Sequence, residues 1–298
     1  MIGPGDPMTA LAHRDRTSPL IANAFPRSSE LTALLAAQAP IVIFCKSHSG
    51  SRLLVRLMEA AGIFMGAHQN LSGDSWDILP IVRYLVMRYY PEYAGVLRGE
   101  DPLLADMMEA ALLRHLAGYD PAERRRWGWK LCETTFILPV VARLFPNAQF
   151  IHLIRDGRDV AFSNHTGATD VFWRKVIFDR ADIQQWEGLP LTGEGYRRQP
   201  HLFNAQHWAN SVRVGHDAAT GFGQRCLELR YEDLCLNLEA STARLSDFLG
   251  LDSVPAALPT AHSDSVGKFR RQLPRNRRSV IELIAPMQAV LGYPVGEA

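Results

Sequence analysis

Residues 41–63 read IVIFCKSHSGSRLLVRLMEAAGI, and this stretch decides the fold. Its first five residues, 41–45, are apolar and partly β-branched, which favours a buried strand. From Leu53 onward, apolar residues recur at helical spacing, which favours an amphipathic helix. A short polar segment, 46–52, separates the two and predicts a loop between the strand and the helix.

The polar loop 46–52 has the features of an anion-binding site. Lys46, His48 and Arg52 add positive charge, and Gly50 allows a ligand to approach the backbone. The first backbone N–H groups of the following helix have no partner within that helix and attract phosphate-like anions. The Walker A pattern is absent, because no glycine supplies its first position and no lysine follows Gly50. On these residues alone, an ordinary strand–turn–helix corner is the alternative interpretation.

The composition is that of an ordinary globular protein. The 298 residues carry a formal net charge of +1, with 47% hydrophobic and 21% charged residues. A nearly neutral chain argues against a general nucleic-acid binder, which would usually be basic. No apolar stretch reaches the roughly 18 residues of a membrane span, and the N-terminus lacks the apolar region of a signal peptide. We therefore expect a cytoplasmic protein without a membrane span.

The four cysteines, Cys45, Cys132, Cys226 and Cys235, show neither C-x-x-C nor zinc-site spacing. Three of them fall in apolar, strand-like runs. The sequence therefore predicts reduced thiols in the core and no metal site.

Alternating strands and helices downstream predict a parallel sheet. Apolar runs at 127–132, 150–154 and 226–230 have the pattern of strands, and each is followed by a helical segment. Parallel strands need crossover helices, which this order supplies. The predicted fold class is α/β, a three-layer sandwich with a central parallel sheet and helical insertions. The predicted organisation is a loose arm at 1–28 and a single domain at 29–298, with insertions at about 66–125 and 166–200.

A second polar cluster follows the strand at 150–154. Arg155 comes directly after this strand, and Ser163 lies eight residues further on, in the first turns of the next helix. In a doubly wound fold, the carboxyl ends of the strands line one edge of the sheet. Arg155 and the 46–52 loop should therefore face one crevice, which suggests a ligand with two phosphate-type groups. Taken alone, Arg155 and Asp156 are also explained by a solvated turn with a local ion pair.

In these motifs the sequence resembles the sulfotransferases that use 3′-phosphoadenylyl sulfate (PAPS). Their 5′-phosphosulfate loop reads P-[KR]-S-G-[TS], and residues 48–51 fall on its last four positions. Their 3′-phosphate motif, R-x-x-[RK]-D-x-x-x-S, is matched at every position from Arg155 to Ser163. The segments 230–234 and 266–273 are also similar to the family, so that the resemblance covers about 40–273.

The resemblance implies a P-loop-like fold with nucleotide-kinase-type topology. It also implies that Tyr231 lies against the adenine and that the basic segment 266–273 closes over the 3′-phosphate of the donor or of the product, adenosine 3′,5′-bisphosphate. The implied donor-binding residues are Lys46, Ser49, Gly50, Ser51, Arg52, Arg155, Ser163, Tyr231, Lys268 and Arg270. The chain departs from the family at His48, where a basic residue is usual, and at Ser47, which replaces a proline.

The implied reaction is in-line transfer of a sulfuryl group to an acceptor hydroxyl or amine. Such a transfer depends on alignment and charge stabilisation rather than on covalent help from the protein. His48, Lys46 and Lys130 are the candidate cations for the charge that develops on the leaving 5′-phosphate. Asp74 and Glu133 are the candidate general bases, and the choice between them stays open. The scheme requires no metal.

Two other interpretations stay open. A P-loop kinase for nucleotides or small molecules would need a Walker A lysine and a magnesium-binding residue, and the lysine is missing after Gly50. A relative that binds nucleotide but has lost its chemistry would explain the substitution at His48. The acceptor is open among small molecules, sugars and lipids. A homodimer is also open, since the sequence carries no signal for the oligomeric state.

Overall fold

The computed structural model describes residues 28–123, 126–163, 172, 199–255 and 263–296. The predicted N-terminal arm lies outside these residues except for its last position, and so does nearly all of the predicted insertion at 166–200. Within the described residues, no helix is both long and apolar enough to cross a membrane.

In the described part of the chain, four parallel strands form the central sheet in the order β2-β1-β3-β4. The strands are β1 (Ile41–Cys45), β2 (Gly128–Lys130), β3 (Gln149–Ile154) and β4 (Cys226–Arg230). β1 is central, because Ile43 pairs with both Lys130 of β2 and Ile151 of β3. All four carboxyl ends therefore lie at one edge of the sheet, where ligands bind in folds of this kind.

Helices flank this sheet and connect its strands. In the described residues they are α1 (Ser29–Ala37), α2 (Ser51–Ala60), α3 (Leu79–Tyr89), α4 (Ala94–Leu97), α5 (Leu104–His115), α6 (Leu138–Leu144), α7 (Gly157–Ala161), α8 (Pro200–Phe222), α9 (Tyr231–Leu236), α10 (Leu238–Leu249) and α11 (Pro274–Val290). α2 begins two residues before the first apolar position, because Gly50 takes a left-handed conformation and serves as its N-cap. α11 begins at Pro274, since proline is tolerated in the first turn of a helix.

Alternate residues of β1 divide the core into two layers. Ile43 packs in one hydrophobic cluster with Leu54 of α2, whereas Phe44 packs in another with Leu85 of α3. Successive side chains of a strand point to opposite faces, and all five residues of β1 are buried. The strand must therefore be covered on both sides. This arrangement confirms the predicted three-layer α/β fold with a parallel sheet.

Candidate active site

Two residues in the left-handed backbone region shape the 46–52 loop. Gly50 has φ 85° and His48 has φ 71°, which is uncommon for a residue with a side chain. A Cβ at Gly50 would lie 2.1 Å from Cε2 of Tyr231. Both the backbone conformation and the neighbouring ring therefore require glycine. The chain then enters α2 at Ser51, where the first N–H groups have no partner within the helix.

Buried polar side chains lie along the loop. Lys46 is buried and donates from Nζ to Oγ of Ser47 at 2.7 Å. Ser51 is buried in the first turn of α2. Ser49 is fully buried, and its Oγ has no hydrogen-bond partner among the described residues. An unsatisfied buried hydroxyl costs roughly 1–3 kcal/mol, which a bound anion would offset by accepting its hydrogen bond.

Arg155, Ser163 and Lys268 lie together, and we refer to them as the Arg155 cluster. Lys268 donates from Nζ to Oγ of Ser163 at 2.9 Å, and this hydroxyl donates to the carbonyl of Asp159 at 3.0 Å. Arg155 is buried, and its Nε has no hydrogen-bond partner in the described part of the chain. Burial and the charge of Arg155 lower the pKa of Lys268. A bound anion would relieve this repulsion between neighbouring cations.

Arg155 joins its cluster to the 46–52 loop. Nη1 of Arg155 donates to the backbone carbonyl of His48 at 3.2 Å, and Nη2 donates to the carbonyl of Ser265. The guanidinium lies 4.6 Å from the ring centroid of Tyr231, whose hydroxyl is hydrogen-bonded to Oγ of Ser265 at 2.8 Å. The sequence predicted both basic segments at one edge of the sheet, and in the structure they are in direct contact.

A carboxylate whose role the sequence did not indicate positions the basic segment that carries Lys268. The two carboxylate oxygens of Asp159 accept backbone hydrogen bonds from Gly267 at 2.8 Å and Phe269 at 3.0 Å. Asp159 is fully buried, so that these bonds fix Lys268 beside Ser163. The match of Asp159 to the R-x-x-[RK]-D pattern was the available signal, but the pattern does not say which backbone groups the carboxylate binds.

Two of the predicted catalytic residues pair with each other. Lys130, at the end of β2, donates from Nζ to Oδ1 of Asp74 at 2.7 Å and to the carbonyl of Ser72 at 3.0 Å. Burial disfavours the charged amine, but Cys132 and Asp74 outweigh burial and raise the pKa of Lys130. The lysine therefore stays charged, and the carboxylate of Asp74 is already engaged.

Glu133 has a different environment. It lies in the 3₁₀ segment Cys132–Ile137 and lines a small cavity together with Lys46 and with His207 of α8. Burial raises the pKa of Glu133, and the negative charge of Asp74 adds to this effect. Arg83 is its charged neighbour, with Nη2 at 3.9 Å from Oε1. Sequence reasoning missed His207, because no local pattern connects α8 with the end of β1.

Two predicted donor-binding residues lie at the surface. Arg52 is exposed in the first turn of α2. Arg270 is also exposed, with its guanidinium 5.0 Å from the ring centroid of Phe269. Arg158, the second basic residue of the motif, pairs with Asp156 at 2.7 Å and stabilises the turn after β3.

His48 is partly accessible to solvent, and several cations lie near its imidazole. Lost hydration and the charges of Lys46, Lys268 and Arg155 lower the pKa of His48 to about 4. The imidazole is therefore neutral at pH 7 in the protein without a bound anion. It can carry charge at neutral pH only when an anion offsets the neighbouring cations.

The sheet and the two basic clusters at its edge define a P-loop-like α/β protein. A sequence model of the sulfotransferase family matches residues 40–255, and the chain therefore belongs to the sulfotransferase family. The fold agrees with this assignment. The sulfotransferase domain from the Synechococcus PCC 7002 olefin synthase superimposes with a TM-score of 0.50 and 19% identity, covering 86% of this chain and 96% of that domain.

Two curated sulfotransferases are similar to this chain in sequence. The protein-tyrosine sulfotransferase of Drosophila melanogaster is 27% identical over 179 residues, covering 51% of this chain and 32% of that protein. Carbohydrate sulfotransferase 4 of Mus musculus is 27% identical over 179 residues, covering 60% of this chain and 42% of that protein. The chain thus spans less than half of the length of each of these relatives.

Proposed function

We propose that the protein transfers a sulfuryl group from PAPS to a hydroxyl or amine of a small-molecule, sugar or lipid acceptor. The observation that carries this proposal is the 3.2 Å hydrogen bond from Arg155 to the carbonyl of His48. It joins two anion-binding clusters in one crevice, which suits a donor with a 3′-phosphate and a 5′-phosphosulfate. Membership of the sulfotransferase family supports the choice of the transferred group.

Different protein groups hold the two anionic ends of the donor. Oγ of Ser49 and the first N–H groups of α2 bind the phosphosulfate, and Gly50 allows the close approach. The Arg155 cluster binds the 3′-phosphate. The fit is supported by two buried donors, Oγ of Ser49 and Nε of Arg155, which lack partners among the described residues and would gain them from these anions. Tyr231 supports the guanidinium of Arg155 and contributes to the wall beside the adenine.

Lys46 and His48 stabilise the charge that develops on the leaving 5′-phosphate. The acceptor atom forms a bond to sulfur while the bond from sulfur to the bridging oxygen breaks. Lys46 lies at the end of β1 and lines the same cavity as Glu133, which favours a place beside the reacting groups. The charge of Lys130 is balanced by the carboxylate of Asp74, so we assign Lys130 to positioning the loop that carries Asp74. Stabilisation of developing charge raises kcat more than it raises affinity.

Glu133 accepts the proton of the acceptor. Its pKa is raised by burial, and a base is most effective when its pKa lies near the working pH. Asp74, the other candidate, is held by Lys130 at 2.7 Å. Glu133 also lines the cavity with Lys46, where the acceptor and the sulfuryl group would meet. These differences favour Glu133 over Asp74 as the general base.

Calorimetry tests the donor. Adenosine 3′,5′-bisphosphate should bind without Mg²⁺, and it should bind more tightly than adenosine 5′-phosphate, because only the bisphosphate engages the Arg155 cluster. A protein that binds only ATP with Mg²⁺ would be a kinase, and this result would overturn the proposal.

A transfer assay tests the chemistry and identifies the acceptor. Radiolabelled PAPS is incubated with the protein and with a panel of phenols, sugars, lipids and amines. Phenols and sugars come first, because the relatives are a protein-tyrosine and a carbohydrate sulfotransferase. Tight bisphosphate binding without transfer to any member of the panel would favour a relative that has lost its chemistry.

A further inference from the structure

Two thiols meet at the carboxyl ends of β1 and β2. Sγ of Cys45 lies 3.3 Å from Sγ of Cys132, and both are free cysteines. Extending the strand register by two residues from the Ile43–Lys130 pair places Cys45 opposite Cys132. Thr135 links the two backbones, because its hydroxyl lies 3.4 Å from the carbonyl oxygen of Cys45 and 2.9 Å from that of Cys132.

We propose that Cys45 and Cys132 form an oxidative modification site. A hydroperoxide converts the two thiols reversibly to a disulfide, and this disulfide inactivates the active site in the crevice. The sulfur atoms need to approach from 3.3 Å to the bonded distance of about 2.05 Å. The strand order and register of the sheet can stay as they are.

The pair borders a small cavity of the crevice. Cys45 and Cys132 line the same cavity as Lys46 and Glu133, and Cys132 is partly exposed. The hydrogen bond with Cys132 lowers the pKa of Cys45; burial opposes this effect, and the charge of Lys130 adds to it. A lowered pKa increases the thiolate fraction, and the thiolate is the form that reacts with peroxides.

The reaction consumes one hydroperoxide and balances without a further partner. One thiolate attacks a peroxide oxygen, which forms a sulfenic acid and releases water or an alcohol. The second thiol attacks the sulfenic sulfur, so that the S–S bond forms and water leaves. The two thiols together lose two electrons and two protons, and a dithiol reductant returns them.

The disulfide would act on the active site through the neighbours of the two cysteines. Lys46 follows Cys45, and Glu133 follows Cys132. Drawing the sulfurs together by about 1.2 Å would pull on the backbone at both cysteines, and Lys46 and Glu133 would shift with their neighbours while the strand pairing is kept. A misplacement of about 1 Å in a catalytic site can cost on the order of a hundredfold in rate. This loss of activity rests on the proposed sulfuryl transfer, whereas the cross-link itself does not.

The test treats the full chain with hydrogen peroxide, blocks the remaining thiols and maps the peptides by mass spectrometry. We expect a peptide that joins Cys45 to Cys132 and weighs about 2 Da less than the two thiol peptides together, because two hydrogens are lost. Transfer activity should fall at least about tenfold and return with dithiothreitol. Bisphosphate binding, measured by calorimetry on the same samples, reports on the crevice independently of the chemistry.

Matched variants separate this pair from the other thiols. The double variant Cys226→Ser and Cys235→Ser keeps the pair and should respond to peroxide like the wild type. Cys132→Ser should give no cross-link to Cys45 and a ratio of oxidised to reduced activity near one. If Cys132→Ser does not fold, Cys132→Ala takes its place in the same experiment.

Two results would overturn the proposal. One is the absence of the Cys45–Cys132 peptide from peroxide-treated wild-type protein. The other is a cross-link that changes neither transfer activity nor bisphosphate affinity. A reduced chain without any transfer activity would contradict the proposed function alone, since the peptide map and the bisphosphate affinity would still decide whether the pair is a modification site.

Discussion

The two basic clusters of the crevice differ in how the protein holds them. In the Arg155 cluster the cations are already hydrogen-bonded to protein groups. Lys268 donates to Ser163, and Arg155 donates to the carbonyls of His48 and Ser265. This cluster is therefore assembled before any ligand arrives, which lowers the ordering cost of binding a phosphate.

The 46–52 loop carries an exposed imidazole, that of His48, and a buried hydroxyl, Oγ of Ser49, which lacks a hydrogen-bond partner in the described chain. Nε of Arg155 is the corresponding unpartnered donor of the other cluster. Lys46 of the loop lines the cavity with Glu133, where charge would develop in the proposed reaction. On the proposed function, the two clusters therefore serve different steps. Changes in the Arg155 cluster should reduce donor affinity, whereas changes around the loop and its cavity should reduce turnover.

The largest effect is expected on the turnover side, for Glu133→Gln. Loss of a general base should lower kcat by about 100- to 10,000-fold, with bisphosphate affinity near that of the wild type. Burial raises the pKa of Glu133, and the base must be deprotonated to act. Wild-type kcat should therefore fall as the pH drops through this raised pKa, and the variant should lack that acidic limb. Asp74→Asn is the matched control, and a larger loss of kcat there would assign the base to Asp74.

The next effect is expected for Lys46→Ala. Its kcat should fall by about ten- to a thousandfold, the range for losing one group that stabilises developing charge. Calorimetry should find a much smaller change in bisphosphate affinity, because the charge develops only in the transition state. Arg52→Ala, an exposed cation of the same loop, should change kcat by no more than about twofold. Equal losses of kcat and affinity in Lys46→Ala would show that Lys46 contributes to binding only.

On the affinity side, Arg155→Ala should weaken bisphosphate binding by about 1.5–3 kcal/mol, the scale of hydrogen bonds to charged groups. Adenosine 5′-phosphosulfate lacks the 3′-phosphate and should bind about as well as it does to the wild type. Arg270→Ala removes an exposed cation from the neighbouring segment and serves as the control in the same titrations. Equal losses for both ligands in Arg155→Ala would remove Arg155 from the 3′-phosphate role.

The smallest effect concerns the charge of His48. Its pKa is about 4 in the free protein, because of lost hydration and the charges of Lys46, Lys268 and Arg155. A bound bisphosphate offsets these charges, so this pKa should rise and binding should take up protons between the two values. NMR titration of the imidazole in free and bound protein measures the shift, with His48→Asn to assign the signal.

The same titration should be visible in turnover. In the bound complex, kcat should decrease as the pH rises through the pKa of His48, because only the imidazolium carries charge. His48→Lys should remove this alkaline limb. If His48→Ala keeps both the wild-type kcat and its pH profile, His48 is a turn residue, and Lys46 carries the role.

Local sequence patterns predicted much of the Arg155 cluster and of its place in the fold. The apolar residues of β3, followed at once by Arg155 and then by Ser163, predicted a strand end with an anion cluster, because burial and loop chemistry are properties of neighbouring residues. The predicted helix boundaries were less accurate. The pattern predicted α2 from residue 53, whereas Gly50 caps it at Ser51. Capping depends on one backbone conformation, which apolar periodicity does not record.

By itself, the sequence determined the order of strands and helices, the parallel sheet and the two basic segments at its edge. Only the tertiary structure decided which groups meet in the crevice. Lys130 reaches Asp74 across 56 residues, and Cys45 meets Cys132 across 87. Such contacts depend on the register of β2 beside β1 and on the path of the loop between them. No short segment encodes these long-range relations, because register is set by the packing of whole faces against each other.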